Sequence, residues 1–323
     1  MIKSFLAILL FLPSIIPGFC FADTNVTSAS LTIADETLRE LALSDEWLKL
    51  VHYKRNTIGQ LISEADGKNF FLSSNGKTDP ELELKATLAA FSDPRKRKLE
   101  GVPMELSAQC QFPARWDFLN RKIQLSQSLK REFCADFETY KKTLSAKSVH
   151  VVFSAYHIYN PSSAYGHSFL RISKSKHGSS VDSNDLLDTG LSYSASSGAS
   201  NPLAYVIKGL SGGFKGYFTT LPYFYKVREY NDFESRDLWE YELNLSDDER
   251  DQLVAHSWEL ASTYFDYYYL TENCSYHMLT ILEAAAPRLH LSARLPFYVI
   301  PADTLKIVAS VPGLVARKFF RPS

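Results

Sequence analysis

From about Ser148 the chain changes character. Five short aromatic and β-branched runs, VHVVFSAYHI, GHSFLRIS, LLDTGLSYS, GYFTTLPYFYKV and LWEYELNL, follow one another between Gly, Ser, Asn and Pro. Such runs read as strands, because branched and aromatic side chains pack well on a pleated, half-buried surface. Ser246-Asp-Asp-Glu249 then matches a capping box and opens a helix through Leu260. An aromatic run over residues 264–270 precedes a second helix from about Asn273 to Ala286, which Pro287 stops. Strands followed by helices predict an α+β domain over residues 148–300, an antiparallel sheet with a helix carrying Cys274.

The preceding residues have a different period. Residues 34–55 place Leu38, Leu41, Leu43, Trp47, Leu48 and Val51 at mostly helical spacing, acidic residues early and basic ones late, which predicts one or two amphipathic helices. Turn signals fill residues 64–80, and residues 81–91 and 116–142 return to helical periodicity. Residues 23–147 are therefore expected to be mainly helical, and residues 301–323 a C-terminal tail. With 45% hydrophobic and 13% aromatic residues the chain can bury a large core. Its 35 basic against 36 acidic residues exclude capture of nucleic acid by bulk charge.

Residues 1–22 stand apart: Lys3 is their only charge, and residues 5–21 are apolar except for Ser14 and two prolines. They read as a secretory signal peptide, cut after Ala22, with an uncleaved anchor as the alternative. No later segment approaches the ~20 apolar residues of a spanning helix, so the mature chain is expected to be soluble and exported. Loss of Cys20 would leave three cysteines in an oxidising compartment. Cys110 and Cys134 lie close in sequence, and the economical arrangement pairs them and leaves Cys274 free.

A free thiol there is either a small buried hydrophobe or a reactive group. Cys274 follows Asn273, a preferred N-cap, which puts the thiol in the first turn of a helix, where the unpaired amides favour thiolate. A nucleophile also needs a base. Of the eight histidines, His167 follows Gly166 at the start of a strand, where alternation sets it on one face with Phe169 and Arg171. It could equally pack or cap a turn. His277, one turn beyond Cys274, is a second candidate base. His150, His157, His167 and Cys274 could instead bind zinc, but HExxH and CxxC are absent, so no metal is expected. Gly209–Gly216 lacks the spacing of a phosphate loop and reads as a tight connection or hairpin; no nucleotide or other cofactor is expected. The tyrosines of residues 264–269 read as a buried strand or as the lining of an acyl pocket. The basic cluster Arg95–Lys98 is most simply solvated, with peripheral contact to anionic headgroups as the alternative.

Residues 165–171 followed later by Glu272-Asn273-Cys274-Ser275-Tyr276 resemble the His-then-Cys order of circularly permuted papain-like enzymes, among them lecithin:retinol acyltransferase and NlpC-type relatives. More closely, residues from about Trp47 to Pro287 resemble the bacterial family that includes the N-terminal periplasmic domain of the lipoprotein N-acyltransferase Lnb. The resemblance rests on Asn160-Pro161, Gly166-His167, GLSGGFKG, the run from Arg236 to Tyr241, and Asn273-Cys274. It implies a periplasmic enzyme of the Gram-negative envelope with Cys274 as nucleophile, His167 as base and a further polar group orienting the imidazole. If residues 165–173 and 185–193 pair as an antiparallel hairpin, positions near Ser192 fall opposite His167, which makes Ser192 the candidate and Asp188 the reserve. The implied chemistry is acyl transfer through a thioester, on a phospholipid, lipoprotein or cell-wall peptide. Unlike that acyltransferase, this chain has no spanning segment after Ser292, so a peptidoglycan or peptide amidase remains open, as does a non-catalytic binding module.

Overall fold

The computed structural model describes residues 33–156, 166–175, 187–195 and 201–323. The signal-peptide reading, His157, Asn160-Pro161, Tyr165 and Asp185 lie outside the described residues. The N-terminal part runs α1 (Asp35–Ala42), α2 (Asp45–Leu50), a hairpin of β1 (Tyr53–Arg55) and β2 (Leu61–Ser63), α3 (Pro80–Phe91), a hairpin of β3 (Arg97–Lys98) and β4 (Glu105–Leu106), then α4 (Ala108–Gln111), α5 (Pro113–Ile123) and α6 (Ala135–Leu144). Ser44 divides the first amphipathic stretch by accepting from the Trp47 amide at 3.3 Å, as an N-cap does. The stretch expected to be helical over residues 116–142 is broken. Gln124 turns left-handed (φ 53°) and Asn120 Oδ1 takes the Ser126 amide at 2.9 Å.

From residue 148 onward come β5 (Ser148–Ser154), β6 (His167–Ser173), β7 (Thr189–Ala195), α7 (Pro202–Ser211), β8 (Phe214–Pro222), α8 (Tyr223–Val227), β9 (Leu238–Leu243), α9 (Asp247–Leu260), β10 (Phe265–Tyr267), α10 (Cys274–Ala285), α11 (Pro301–Ser310) and β11 (Val315–Arg321). Seven strands form one antiparallel sheet in the order β10-β8-β7-β6-β5-β9-β11. The mixed α+β class is thus as the sequence predicts, with the capping box of α9 and the Asn273 cap of α10 both formed.

Three expectations need correction. Residues 301–323 are not a tail: α11 packs on α10, and β11 is an edge strand on β9, with Phe320 opposite Trp239. The segment YFYKV is helical, because Tyr223, Val227 and Tyr230 recur at i, i+4 and i+7 and pack together on Val152, Phe169 and Leu238. For Gly209–Gly216 only the hairpin alternative fails: Gly209 and Ser211 close α7, and left-handed Gly212 (φ 74°) begins the tight connection into β8.

One face of the sheet carries Phe169 and Val152 under α8; the other receives α10, whose His277 ring lies 4.2 Å from that of Tyr193. Ile33–Ser323 cluster as one compact unit, in which α5 and α6 pack on α9 and α2 packs on α10. Arg115 pairs with Glu83 at 2.6 Å, both side chains fully buried, and His52, His256 and Glu259 form a buried relay to the Ala114 and Arg115 amides. The helical region and the sheet therefore share a core.

Cys110 and Cys134 are disulfide-bonded and Cys274 is free, as the cysteine spacing predicts. The bridge closes a loop of 24 residues around α5. Cys110→Ser should cost about 3 kcal/mol, mainly by loosening the unfolded chain, measurable as a lower urea midpoint. An unchanged midpoint would show that α5 needs no such tie.

Candidate functional site

Asn273 fixes the start of α10. Its Oδ1 accepts from the amides of Ser275 (3.0 Å) and Tyr276 (3.3 Å), and its Nδ2 donates to the carbonyls of Tyr269 (3.1 Å) and Val299 (2.8 Å). With both ends of that amide engaged, Asn273 positions the helix and the next residue, Cys274. The thiol is only 5% exposed. Its backbone amide donates to the Tyr267 hydroxyl at 3.4 Å, and Sγ lies 3.8 Å from Ser275 Oγ.

His167 reaches this thiol from β6. Gly166 enters the strand at φ 90°, and a Cβ there would lie 2.6 Å from both the Phe153 ring and the Ser154 carbonyl oxygen, so only glycine fits. Observed β6–β7 pairing covers Ile172↔Thr189 to Leu170↔Leu191. The Ser168 amide, beyond that ladder, is among the groups that favour the Cys274 thiolate. Where the strands part, the His167 imidazole stands near enough to the Cys274 sulfur for its charge to favour the thiolate.

Burial pushes the Cys274 thiol up. Against it, the charge and hydrogen bond of His167, the Ser168 amide and the Ser275 hydroxyl hold it at about 7.

Ser192 Oγ lies 3.2 Å from His167 Nε2. Continuing the register puts Ser194 directly across from His167, so Ser192 meets the ring diagonally, two residues along the same face. Asp188, the reserve, is engaged elsewhere. Arg171 donates to its Oδ2 through Nε at 2.8 Å, and the Lys174 amide to its Oδ1 at 3.0 Å. Arg171 also binds Glu240 at 2.6 Å, whose other oxygen accepts from the Tyr223 hydroxyl at 2.6 Å. His277 is fully buried among Tyr193, Phe218, Phe265 and Tyr276, and neither of its ring nitrogens has a hydrogen-bond partner among the described residues. His150 bonds Ser148 Oγ at 3.1 Å, and burial, with the charge of Arg171, holds it down to about 4. No group of His, Cys, Asp or Glu among the described residues could hold a metal ion.

Two further residues beside the thiol carry no distinguishing signal in the sequence. Tyr267 stacks on Tyr193 at 5.5 Å and hydrogen-bonds Cys274, and burial keeps its phenol protonated far above the ordinary range. Tyr230 packs 5.8 Å from the His167 ring, with the guanidinium of buried Arg236 on its face at 5.2 Å. Arg236 also donates to Ser154 Oγ at 3.3 Å, and Ser154 pairs with His167 across β5 and β6. The run from Arg236 to Tyr241 thus supplies Arg236 behind the histidine and Glu240 to Arg171. The period of the tyrosine run marked a strand, and nothing in it distinguished Tyr267 from its neighbours.

A cleft of about 790 Å³ lies beside the first turn of α10, lined among others by Lys54, Glu64, Glu272 and Tyr276. Lys54 bridges Glu64 (3.2 Å) and Glu272 (3.5 Å), and the Tyr276 hydroxyl donates to Glu64 at 2.5 Å. Cys274 does not line it.

Residues 136–311 match the family model described as the Lnb N-terminal periplasmic domain, and residues 39–122 match a domain of unknown function (DUF7843). No curated protein and no solved structure matches significantly.

Proposed function

The chain belongs to the Lnb N-terminal periplasmic domain family, and on that premise we propose that it is a Cys-His acyl-transfer enzyme of permuted papain-like architecture. The observation that carries the reading is the meeting of Cys274 and His167 across the parted strands, with the thiol held at about 7 in spite of its burial. A structural cysteine has no need of an imidazole and a strand amide that both favour its thiolate.

In this reading the Cys274 thiolate attacks an ester carbonyl. The oxyanion takes the Cys274 amide, which at rest donates to the Tyr267 hydroxyl oxygen at 3.4 Å and turns from it to the substrate, together with the Tyr267 O–H. The alcohol leaves with the proton held by His167, and a thioester remains on Cys274. An amine then attacks the thioester, sulfur leaves as thiolate, and the imidazole accepts the amine's proton. His167 Nε2 rests on Ser192, which leaves Nδ1 for the sulfur. A neutral serine holds the ring's orientation but adds no charge to stabilise an imidazolium. A thiol that is 5% exposed and walled by tyrosines shields the thioester from bulk water, which favours transfer over hydrolysis.

The test is intact-mass analysis after incubation with bacterial phospholipid. A gain of one acyl chain is expected in the wild type, lost in Cys274→Ala and reduced on the order of 10²-fold in Tyr267→Phe. An equal gain in the Cys274→Ala protein would remove the thiol from the chemistry. Cleavage of muropeptides with no acyl gain would favour the amidase.

A further inference from the structure

The apolar face of α7 points outward. Leu203, Val206, Ile207 and Leu210 recur at i, i+3, i+4 and i+7 and are 70%, 50%, 56% and 54% exposed. The inward side is held by Tyr205, packed on Phe214 and Tyr269, and by Gly209, where a Cβ would lie 2.1 Å from the Tyr269 ring. The stripe is therefore presented by a seated helix. Isolated exposed aliphatic side chains are ordinary, but four on one helical face are not.

Charge indicates what covers it. Residues 189–228 contain no Asp or Glu, although the whole chain carries 36 in 323, an average that would put four or five in such a stretch. They do contain Lys208, Lys215, Lys226 and Arg228, and of these Lys208, Lys215 and Arg228 are exposed. An apolar stripe edged by cations, on a stretch of chain without carboxylates and with only Asp266 of β10 across the sheet from Lys215, suits the headgroup layer of an anionic bilayer, where lysine stems lie along apolar surface and ammonium groups reach phosphate. At ten residues α7 is about 15 Å long, half a bilayer core, so it can lie in the interface but cannot span it.

The stripe also adjoins the thiol site. Tyr269 donates its amide to the Gly209 carbonyl at 2.9 Å, and Leu270, 49% exposed, accepts from the Val299 amide at 2.7 Å beside exposed Phe297 and Tyr298. Four residues beyond Leu270 stands Cys274. We infer that α7, with Lys208 and Lys215, docks this protein on an anionic lipid surface and holds the Cys274 end of the molecule against it. The choice of a bilayer as occupant rests on the stripe and its charge; its use in acyl transfer rests on the proposed function.

The experiment places an environment-sensitive fluorophore on Val206→Cys in a Cys274→Ser background and adds phosphatidylethanolamine/phosphatidylglycerol vesicles (3:1). A blue shift with rising intensity is expected, weaker on phosphatidylcholine vesicles and reduced by salt. Leu203→Asp/Ile207→Asp should lower vesicle flotation at least about tenfold, and Lys208→Glu/Lys215→Glu a few-fold on anionic vesicles only. These side chains are exposed, and an unchanged thermal midpoint checks the fold. Fluorescence that ignores vesicles would overturn the inference, as would a dimer that the aspartate pair dissociates without changing flotation. Alkylation of Cys274 in the flotation variants separates the two proposals: normal alkylation with lost flotation leaves the thiol chemistry standing.

Discussion

Alkylation of Cys274 in the folded protein is expected to rise through a midpoint near pH 7, and in His167→Ala to shift upward by about two units. Burial alone would carry the thiol above its ordinary value, and the largest opposing influence is the His167 imidazole. Without the ring, the Ser168 amide and the Ser275 hydroxyl remain, and each supplies only a hydrogen bond. At pH 7 the thiolate fraction would fall from about one half to about one part in a hundred, so the alkylation rate at that pH should drop on the order of 50-fold. Acyl transfer should fall further, by about 10³-fold, because the same ring moves the proton in both half-reactions. Peptide-level mass spectrometry locates the label, and Cys274→Ser supplies the blank. Ser192→Ala removes only the 3.2 Å contact that orients the ring, so its midpoint should stay close to the wild type while the rate falls several-fold. A thiol inert at every pH, or one whose midpoint ignores His167→Ala, would leave Cys274 a buried hydrophobe and the binding module as the surviving account.

Local chemistry made part of this site legible. An Asn before a Cys at the start of an apolar helical run indicates a cap and a first-turn thiol, because both follow from orphan amides that any helix start must satisfy. The glycine before His167 marks only the start of a strand, and its left-handed backbone, which excludes other residues, comes from the fold. Pairing of Cys110 with Cys134 followed from counting thiols. What the sequence hid was tertiary. YFYKV has strong β propensity and also the i, i+4, i+7 spacing of Tyr223, Val227 and Tyr230, and burial against Phe169 decided for the helix. Asp188 stood in reserve behind Ser192 for the histidine, since both follow β6 in a pairing strand. Arg171 decided between them, by holding Asp188 at the far end of β6. Nothing local marks residues 315–321 as the edge strand of a sheet whose adjoining strand, β9, lies more than seventy positions earlier, which is why they read as a tail.

Arg171→Leu should destabilise the fold by about 3–5 kcal/mol at pH 7, among the largest effects of any single change away from the thiol. The guanidinium is 4% exposed and lies between Asp188 and Glu240, each also 4% exposed. Leucine fills much of the space and leaves two buried carboxylates without their cation, which costs far more than the pair itself contributes. The pH dependence identifies the cause. Burial pushes the Glu240 carboxyl up, but the Arg171 charge and the Tyr223 hydroxyl outweigh it and hold the group below its ordinary value. In the wild type this stabilisation is therefore present above the unfolded carboxylate range, and it is lost as pH falls through the lower folded value. With Arg171 gone, burial dominates and the folded value moves above the unfolded one, so the variant gains relative stability as pH falls. Urea midpoints at pH 7.5 and pH 5 should accordingly show a gap between the two proteins that narrows on acidification, and Glu240→Gln in the variant should recover about 1–2 kcal/mol at pH 7.5. A gap of equal size at both pH values would mean that lost packing, rather than stranded charge, sets the cost. The same variant bears on the site, because Asp188 also takes the Lys174 amide and gives its carbonyl to the Tyr223 amide at 2.8 Å, fixing the end of β6 opposite His167. If that anchoring sets where the imidazole stands, the folded fraction of Arg171→Leu should alkylate Cys274 with a midpoint raised part of the way toward that of His167→Ala.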